Sequence, residues 1–227
     1  ISANAAAESD SKLWLKKGQR IKLRYLIRAA SIKSANDAAT AIGEAISGSE
    51  AAFGKRMTRT ARALGMDRTT FKNAHGLTRS GHLSTARDMS ILGRHMIYDY
   101  PQYYNLFSRR SANARVATVR NTNRRLLNSY RGADGIKTGY TRAAGSNLVA
   151  SAERGGERII ATMFGGTSSA ARNARVVKLL DMGFARAPSN AKLLKPALPN
   201  YEFEANTSNK RVTAVTKSLR PETRVIE

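Results

Sequence analysis

Two short polar motifs, far apart in the chain, carry side chains that could take part in acyl transfer. The first is Ser34-Ala35-Asn36, and the second is Lys137-Thr138-Gly139. Alternate residues of an extended segment share a face, so the hydroxyl and the amide of the first motif should point the same way. The hydroxyl could relay a proton, and the amide could hold the backbone of a peptide substrate. On an edge strand, the lysine and threonine of the second motif could bind a substrate carboxylate, and its glycine would allow close approach.

Acyl transfer also needs an attacking group with a neighbouring base, and the sequence offers no convincing pair. A Ser-x-x-Lys spacing would supply both groups from one helical turn. Two pairs have that spacing, Ser9/Lys12 and Ser189/Lys192. Ser9 is close to Ser34 in a polar segment, and Ser189 lies in the C-terminal tail. We therefore expect neither serine to be the nucleophile.

Hydrophobic spacing predicts mainly helices in the first part of the chain. Two alternating stretches, Leu13-Trp14-Leu15 and Ile21-Lys22-Leu23, instead predict short strands around a Lys17-Gly18 turn. The first predicted helix is Tyr25–Ala30, and the second is capped by Asn36 or Asp37 and runs to Ile46, before Gly48. A third helix passes through Phe53, Met57, Ala61 and Leu64. Ser84 caps a fourth helix, which ends before Pro101.

The second part of the chain changes to strand spacing. Its predicted strands are Gly135–Tyr140, Asn147–Ala152 and Arg158–Phe164, the last two joined by a turn at Glu153–Gly156. A final helix is predicted over Ser168–Met182, with Ala171, Val176, Leu179 and Leu180 facing inward. This order of elements indicates an α+β fold, with helices packed on an antiparallel sheet.

The net charge is strongly positive, because 39 Lys and Arg against 16 Asp and Glu give +23. It favours anionic partners such as an anionic membrane surface or an acidic polymer, and equally fits an ordinary solvated surface. The sequence has no RNA-recognition motif and only 7% aromatic residues, so we expect no nucleic-acid partner.

The sequence has no cysteine and no apolar run long enough to span a bilayer. No His/Asp/Glu spacing suggests a metal, and none is predicted.

Six longer stretches, four of them away from the two motifs, extend the pattern over most of the chain. They are Ile32–Ala38, Asn73–Leu77, Ser84–Met89, Gly135–Gly139, Asn147–Ala152 and Lys178–Phe184. In this order they resemble the low-molecular-weight penicillin-binding proteins, which are serine-type D-alanyl-D-alanine carboxypeptidases. The similarity runs from Leu13 to Ala185, which makes it far more specific than the short motifs alone.

The resemblance implies a β-lactamase/transpeptidase-like α+β fold and a set of site residues. Ser34 would relay a proton, and Asn36 would contact both the substrate and the catalytic lysine of the family. The backbone N–H of Tyr140 would form half of an oxyanion hole, and Arg172 would assist carboxylate recognition. The implied residues are Ser34, Asn36 and Lys137 for catalysis and Thr138, Gly139, Tyr140 and Arg172 for substrate binding.

In this family the Ser-x-x-Lys pair precedes Ser-x-Asn, so its expected place is upstream of Ile1. We therefore expect residues 1–187 to be a partial, N-terminally truncated domain, without nucleophile, general base or secretion signal. Residues 188–227 would be a linker or the start of a C-terminal module. Such a chain should be inactive alone and should need the upstream segment or a second chain.

The resemblance also implies an activity. The complete protein would trim peptidoglycan stem pentapeptides through an acyl-serine, would be inhibited by β-lactams, and would need no cofactor. It would work in the periplasm or cell envelope. A class A-like β-lactamase and a catalytically empty, basic cell-wall-binding module are the alternatives. For His75, a structural role is favoured over that of a catalytic base.

Overall fold

Helices precede and follow a β-sheet in the part of the chain that the computed structural model describes, residues 1–188 and 193–201. The helices are α1 (Ala3–Ala7), α2 (Leu23–Arg28), α3 (Asn36–Ser47), α4 (Glu50–Ala63), α5 (Ala86–Asp99), α6 (Pro101–Tyr104), α7 (Arg124–Ser129) and α8 (Ser169–Arg186), with a π-helical turn at Ala29–Lys33. The strands are β1 (Ser111–Asn113), β2 (Thr118–Arg120), β3 (Ala133–Thr141), β4 (Gly145–Arg154) and β5 (Glu157–Gly166). The predicted α+β class is confirmed.

The three predicted strands form one antiparallel sheet in the order β3-β4-β5. Successive β4 side chains point to opposite faces, so Leu148 and Ala150 pack towards α8 while Val149 packs towards α5. Gly93 lets α5 approach closely, since a Cβ there would lie 3.0 Å from Ile136 Cδ1. Helices thus cover both faces of the sheet, and this packing fixes the position of the second motif on β3.

The helices before the sheet build a separate core. Small apolar side chains of α1, α2, α3 and the π-helical turn bury one another there. The two short strands predicted in this region are wrong. The N–H groups of Leu13 and Leu15 donate to the Asp37 carboxylate at 2.9 and 3.1 Å instead of to a neighbouring strand. Leu23 begins α2, so the stretch after the turn at Gly18 is not a strand either.

Asp37 is fully buried, and its removal should strongly destabilise the protein. Asp37→Ala would leave the N–H groups of Leu13 and Leu15 without their acceptor. An unsatisfied buried donor costs about 1–3 kcal/mol, so we expect a loss of roughly 3 kcal/mol in the free energy of unfolding. Urea titration of the purified chain measures this loss. Asp67→Ala, at an exposed carboxylate, is the control and should change stability by less than about 0.5 kcal/mol; equal losses in both variants would contradict the assigned role.

Two predicted caps are shifted along the chain. Ala35 occupies the N-cap position of α3 without a side-chain bond, while Asn36 and Asp37 lie in the first turn. Their side chains bind the preceding segment, which draws them away from capping. At α5 the cap is Thr85 rather than Ser84.

Several short elements were not predicted, namely α1, α6, α7 and the β1–β2 hairpin. β1 consists of another Ser-Ala-Asn triplet, Ser111–Asn113, which pairs with β2 and takes no part in the sheet of three strands. The hairpin turn after β4 is also tighter than predicted, because only Gly155 and Gly156 separate the two strands. Elements of three to six residues carry too few side chains to show a clear period.

The segment 193–201 runs beside α4 and α5. The Asn200 N–H donates to the Ala63 carbonyl at 2.9 Å, and the Arg94 guanidinium donates to the Leu194 carbonyl. The domain boundary between residues 187 and 188 stays a prediction, since positions 189–192 and 202–227 lie outside the described residues. None of the described helices is both long and apolar enough to cross a membrane.

Candidate active site

Ser34 lies at the end of the π-helical turn in a left-handed backbone conformation. Its φ is +64° and its ψ is +40°. Residues with a β-carbon seldom adopt this conformation, and such cases concentrate at functional sites. Ile32 before Ser34 and Ala35 after it are buried in the helical core, so packing on both sides holds the unusual geometry. The result is a serine whose hydroxyl reaches β3.

Lys137, on β3, meets that hydroxyl. Its amine donates to Ser34 Oγ at 2.6 Å and to the Thr138 carbonyl at 2.9 Å. No acidic side chain among the described residues forms an ion pair with it. Burial lowers the pKa of Lys137 to about 8, because desolvation disfavours the charged amine. Near neutral pH this amine therefore releases a proton more readily than an ordinary lysine.

The Asn36 amide makes a contact different from the one that the family resemblance implies. Its Nδ2 donates to the Ser9 carbonyl at 2.8 Å, and its backbone N–H donates to the Ser11 carbonyl at 2.7 Å. Both bonds fasten the first motif to the segment before it. Within the described residues no hydrogen bond joins Asn36 to Lys137, so the structure does not bring all three predicted catalytic residues into contact.

Thr138 has a partner that the sequence did not reveal. Its hydroxyl donates to Thr122 Oγ1 at 2.6 Å. The Thr122 N–H in turn donates to the Ile32 carbonyl, two residues before Ser34. Thr122 therefore connects the two segments that carry the motifs. Thr122 lies in an Asn-Thr-Asn triplet between β2 and α7, two elements that were not predicted. No pattern in the sequence therefore pointed to this residue as part of the site.

The sequence predicted that Ala171 faces inward on α8. In the structure Ala171 is exposed, and the neighbouring Arg172 is buried instead. Its side chain is buried, and its Nε and Nη2 donate to Asn173 Oδ1 at 3.1 and 2.9 Å. Its Nη1 donates to the Asn147 carbonyl at 3.4 Å, and Asn147 pairs with Gly139 in the sheet. Burial lowers the pKa of Arg172. No described carboxylate pairs with this guanidinium. It contacts β4, the strand that neighbours the second motif in the sheet.

Gly139 and Tyr140 continue β3 beyond Lys137. A Cβ on Gly139 would lie 3.7 Å from Asn147 Cβ, which is an ordinary contact. Packing within the described chain therefore does not require a glycine there. The Tyr140 side chain is 68% exposed, so only its backbone belongs to the sheet.

His75 contacts two glutamates that are distant in sequence. Its Nε2 lies 3.3 Å from a carboxylate oxygen of Glu8 and 3.3 Å from one of Glu50. The Leu77 N–H donates to His75 Nδ1 at 3.2 Å, so Nε2 carries the ring proton and donates to the carboxylates. A metal on Nε2 would move that proton to Nδ1, where it would face the Leu77 N–H. The donor set therefore fits a hydrogen-bonded cluster better than a metal centre, and this geometry supports a structural role for His75.

The Ser9/Lys12 pair is not arranged as a nucleophile and its base. The Ser9 hydroxyl donates to the Asp10 carboxylate at 3.3 Å, while the Lys12 amine donates to the Glu8 carbonyl at 2.8 Å. No described hydrogen bond joins the two side chains. Ser189 and Lys192 lie outside the described residues.

Comparisons with known proteins connect this geometry to one family. A family model for D-alanyl-D-alanine carboxypeptidase, Peptidase S11, matches residues 1–168. Carboxypeptidase DacF of Bacillus subtilis is 40% identical over 190 residues, which are 82% of this chain and 48% of that protein. DacA of Escherichia coli is 37% identical over 183 residues, 81% of this chain and 45% of that protein. The chain thus spans about half the length of these curated relatives.

Solved structures share the fold. DacD from Francisella tularensis superposes with a TM-score of 0.77 at 32% identity, over 82% of this chain and 57% of that one. Penicillin-binding protein D2 from Listeria monocytogenes, in its ampicillin-bound form, gives 0.71 at 35% identity, over 78% of this chain and 74% of that one. These matches confirm both the predicted resemblance and the transpeptidase-like fold. Because the family model covers most of its length, the chain belongs to the D-alanyl-D-alanine carboxypeptidase family.

Proposed function

We propose that the complete protein is a serine-type D-alanyl-D-alanine carboxypeptidase that trims peptidoglycan stem pentapeptides. In this proposal the present chain supplies the proton relay and the carboxylate-binding strand. One observation carries the proposal: the Lys137 amine donates to the Ser34 hydroxyl at 2.6 Å. The chain neighbours of these two residues, Ala35 and Ile136, belong to different cores of the fold. A family member would use such a contact during acyl transfer.

The relay would work at the leaving group. The attacking serine, which we place upstream of Ile1 with the lysine of its Ser-x-x-Lys pair, gives its hydroxyl proton to that lysine and forms a bond to the carbonyl carbon of the penultimate D-alanine. The bond from that carbon to the nitrogen of the terminal D-alanine breaks, and the nitrogen needs a proton. Ser34 gives its hydroxyl proton to this nitrogen and takes one from Lys137. Water then bonds to the acyl carbon, and the bond from that carbon to the serine oxygen breaks, which releases the shortened peptide. The lysine of the Ser-x-x-Lys pair returns its proton to the serine, and the proton lost by the water restores Lys137.

The terminal carboxylate of the substrate would bind beside the relay. Lys137 supplies a cation and Thr138 a hydroxyl, while Arg172 adds a buried positive charge that no described carboxylate neutralises. An arginine fork in a site of low polarity recognises a carboxylate strongly. Gly139 leaves room for the substrate backbone on β3, and the Tyr140 N–H would help to bind the oxyanion.

Thr122→Val should weaken substrate binding in the complete protein more than it slows the chemical step. The change removes the acceptor that orients the Thr138 hydroxyl, at a cost of about 1 kcal/mol, so KM should rise by roughly fivefold. Steady-state kinetics on a D-alanyl-D-alanine peptide measure KM and kcat separately. Thr122→Ser keeps the hydroxyl and should restore KM; an equal defect in both variants would show that the hydroxyl is not responsible.

The present chain alone should not react with penicillin, because neither of its Ser-x-x-Lys pairs is predicted to be the nucleophile and its base. The contact between Ser34 and Lys137 is assigned to the proton relay in this proposal. Intact mass after incubation with penicillin tests this, with circular dichroism to show that the chain is folded. We expect no adduct on these 227 residues and a stoichiometric adduct once the upstream coding sequence is included. An adduct on the short chain would place the nucleophile within it, and a folded, longer protein without an adduct would overturn the proposal.

The remaining parts of the proposal follow from the same family. We infer a location in the periplasm or cell envelope, where the peptidoglycan substrate is found, and inhibition by β-lactams. The named relatives are carboxypeptidases and penicillin-binding proteins, which does not favour the β-lactamase or empty-module hypotheses.

A further inference from the structure

The outer face of α4 carries four cations. Lys55, Arg59 and Arg62 follow one another at helical spacing, and Arg56 lies beside them. Lys55, Arg56 and Arg62 are exposed, and Arg59 is half-buried. The opposite face of α4 buries Gly54 and Ala61. We call these four residues the α4 basic face.

This charge is not neutralised within the described chain. None of the four cations forms an ion pair with a described acidic residue. Glu50, the acidic residue of α4, turns towards His75 instead. Like charges three or four positions apart on a helix repel each other and destabilise it. An anion bound across the α4 basic face would relieve this repulsion.

A groove lies along the same face. It has a volume of about 350 Å³ and is lined by Lys55, Arg56 and Arg59 together with residues at the end of α3. The groove thus presents several cations, which are complementary to an anion that bears several oxygens.

We propose that the α4 basic face is a docking surface for a linear, phosphate-bearing polymer. Three of its four cations are arginines, whose planar forks match phosphate oxygens in pairs. From Lys55 to Arg62 the stripe extends along the helix for about 10 Å, which is long enough to contact successive charges of a polymer. A membrane surface is disfavoured, because an interfacial helix would also present large apolar side chains. On this groove the one exposed large apolar side chain is Ile46.

Binding of polyphosphate to the full chain tests this proposal through two variants with the same loss of charge. The first changes the α4 basic face: Lys55→Gln, Arg56→Gln, Arg59→Gln and Arg62→Gln. The second changes four exposed cations elsewhere: Arg120→Gln, Arg131→Gln, Arg175→Gln and Lys178→Gln. At about 0.15 M salt we expect the first variant to bind roughly a hundredfold more weakly. The slope of the logarithm of the binding constant against the logarithm of salt concentration should fall in magnitude by about three. The second variant should bind nearly as tightly as the parent chain.

Other outcomes would overturn the proposal. Equal losses in the two variants would mean that the net charge of +23 acts diffusely, without a docking surface. Equal affinity for polyglutamate would show that phosphate is not selected. Binding to anionic lipid vesicles that depends on the α4 basic face would identify a membrane surface instead. Circular dichroism of both variants establishes that they are folded. Penicillin acylation of the complete protein with the same substitutions, which does not involve α4, separates this result from a failure of the proposed enzyme function.

Discussion

Ser34→Ala is expected to slow penicillin acylation and peptide cleavage by the complete protein by about 10²–10⁴-fold, the usual contribution of a positioned proton donor or acceptor. The variant removes the hydroxyl that the Lys137 amine contacts at 2.6 Å. Without it the lysine proton has no short path to the leaving nitrogen. Substrate binding should change much less, since the proposed carboxylate contacts on β3 and α8 remain. Stopped-flow acylation with a chromogenic β-lactam measures the rate constant directly.

The chain contains its own control for this experiment. Ser111 begins an identical Ser-Ala-Asn triplet, but that triplet forms the exposed strand β1. Ser111→Ala should leave acylation unchanged. If Ser34→Ala were as active as the Ser111 variant, the relay would be wrong. A loss that appeared only in KM would assign Ser34 to binding instead of proton transfer.

Lys137→Met is expected to abolish most of the activity of the complete protein and, at the same time, to stabilise the fold. The rate of acylation should fall by about 10³-fold or more, because the variant loses the proposed proton source and the proposed cation for the substrate carboxylate. Stability should rise because the buried amine is costly as a cation. The pKa of Lys137 falls from 10.5 to about 8 on folding, which corresponds to a penalty of about 3 kcal/mol near pH 7.

The pH dependence of this stability difference has a definite sign. Below pH 8 the amine is protonated in both the folded and unfolded chains, so the penalty is fully present. Between pH 8 and 10.5 the unfolded chain binds more protons, and the stability of the parent chain therefore rises with pH. The difference between Lys137→Met and the parent should shrink by about 1.4 kcal/mol from pH 7 to pH 9.

Urea titrations of both chains at the two pH values measure this change. The comparison cancels all groups that the two chains share. Lys16→Met removes a lysine from an exposed site and should change stability by less than about 0.5 kcal/mol at pH 7. A Lys137→Met variant that was destabilised at pH 7 would contradict the argument that burial of the cation is costly.

The sequence alone determined the parts of the fold that depend on regular spacing. The strands over Gly135–Tyr140, Asn147–Ala152 and Arg158–Phe164 were predicted from the change to strand spacing and from the turn at Glu153–Gly156. The helices that became α4 and α8 were predicted because apolar side chains recur on one face. The helix that became α3 was predicted from its end signals, a cap at Asn36 or Asp37 and Gly48 after Ile46. The six longer stretches occur in the order found in the family. Their order identified the two short motifs as those of the family.

Only the tertiary structure decided which side chains meet. It brought Lys137 to Ser34, gave Thr138 a partner in Thr122, and fastened Asn36 to Ser9. None of these contacts joins residues that are neighbours in the sequence, so no local period records them. A pattern of hydrophobic spacing states which face of an element is buried. The partner of a polar group depends on where the packed elements place it, and that is settled only when the cores have formed.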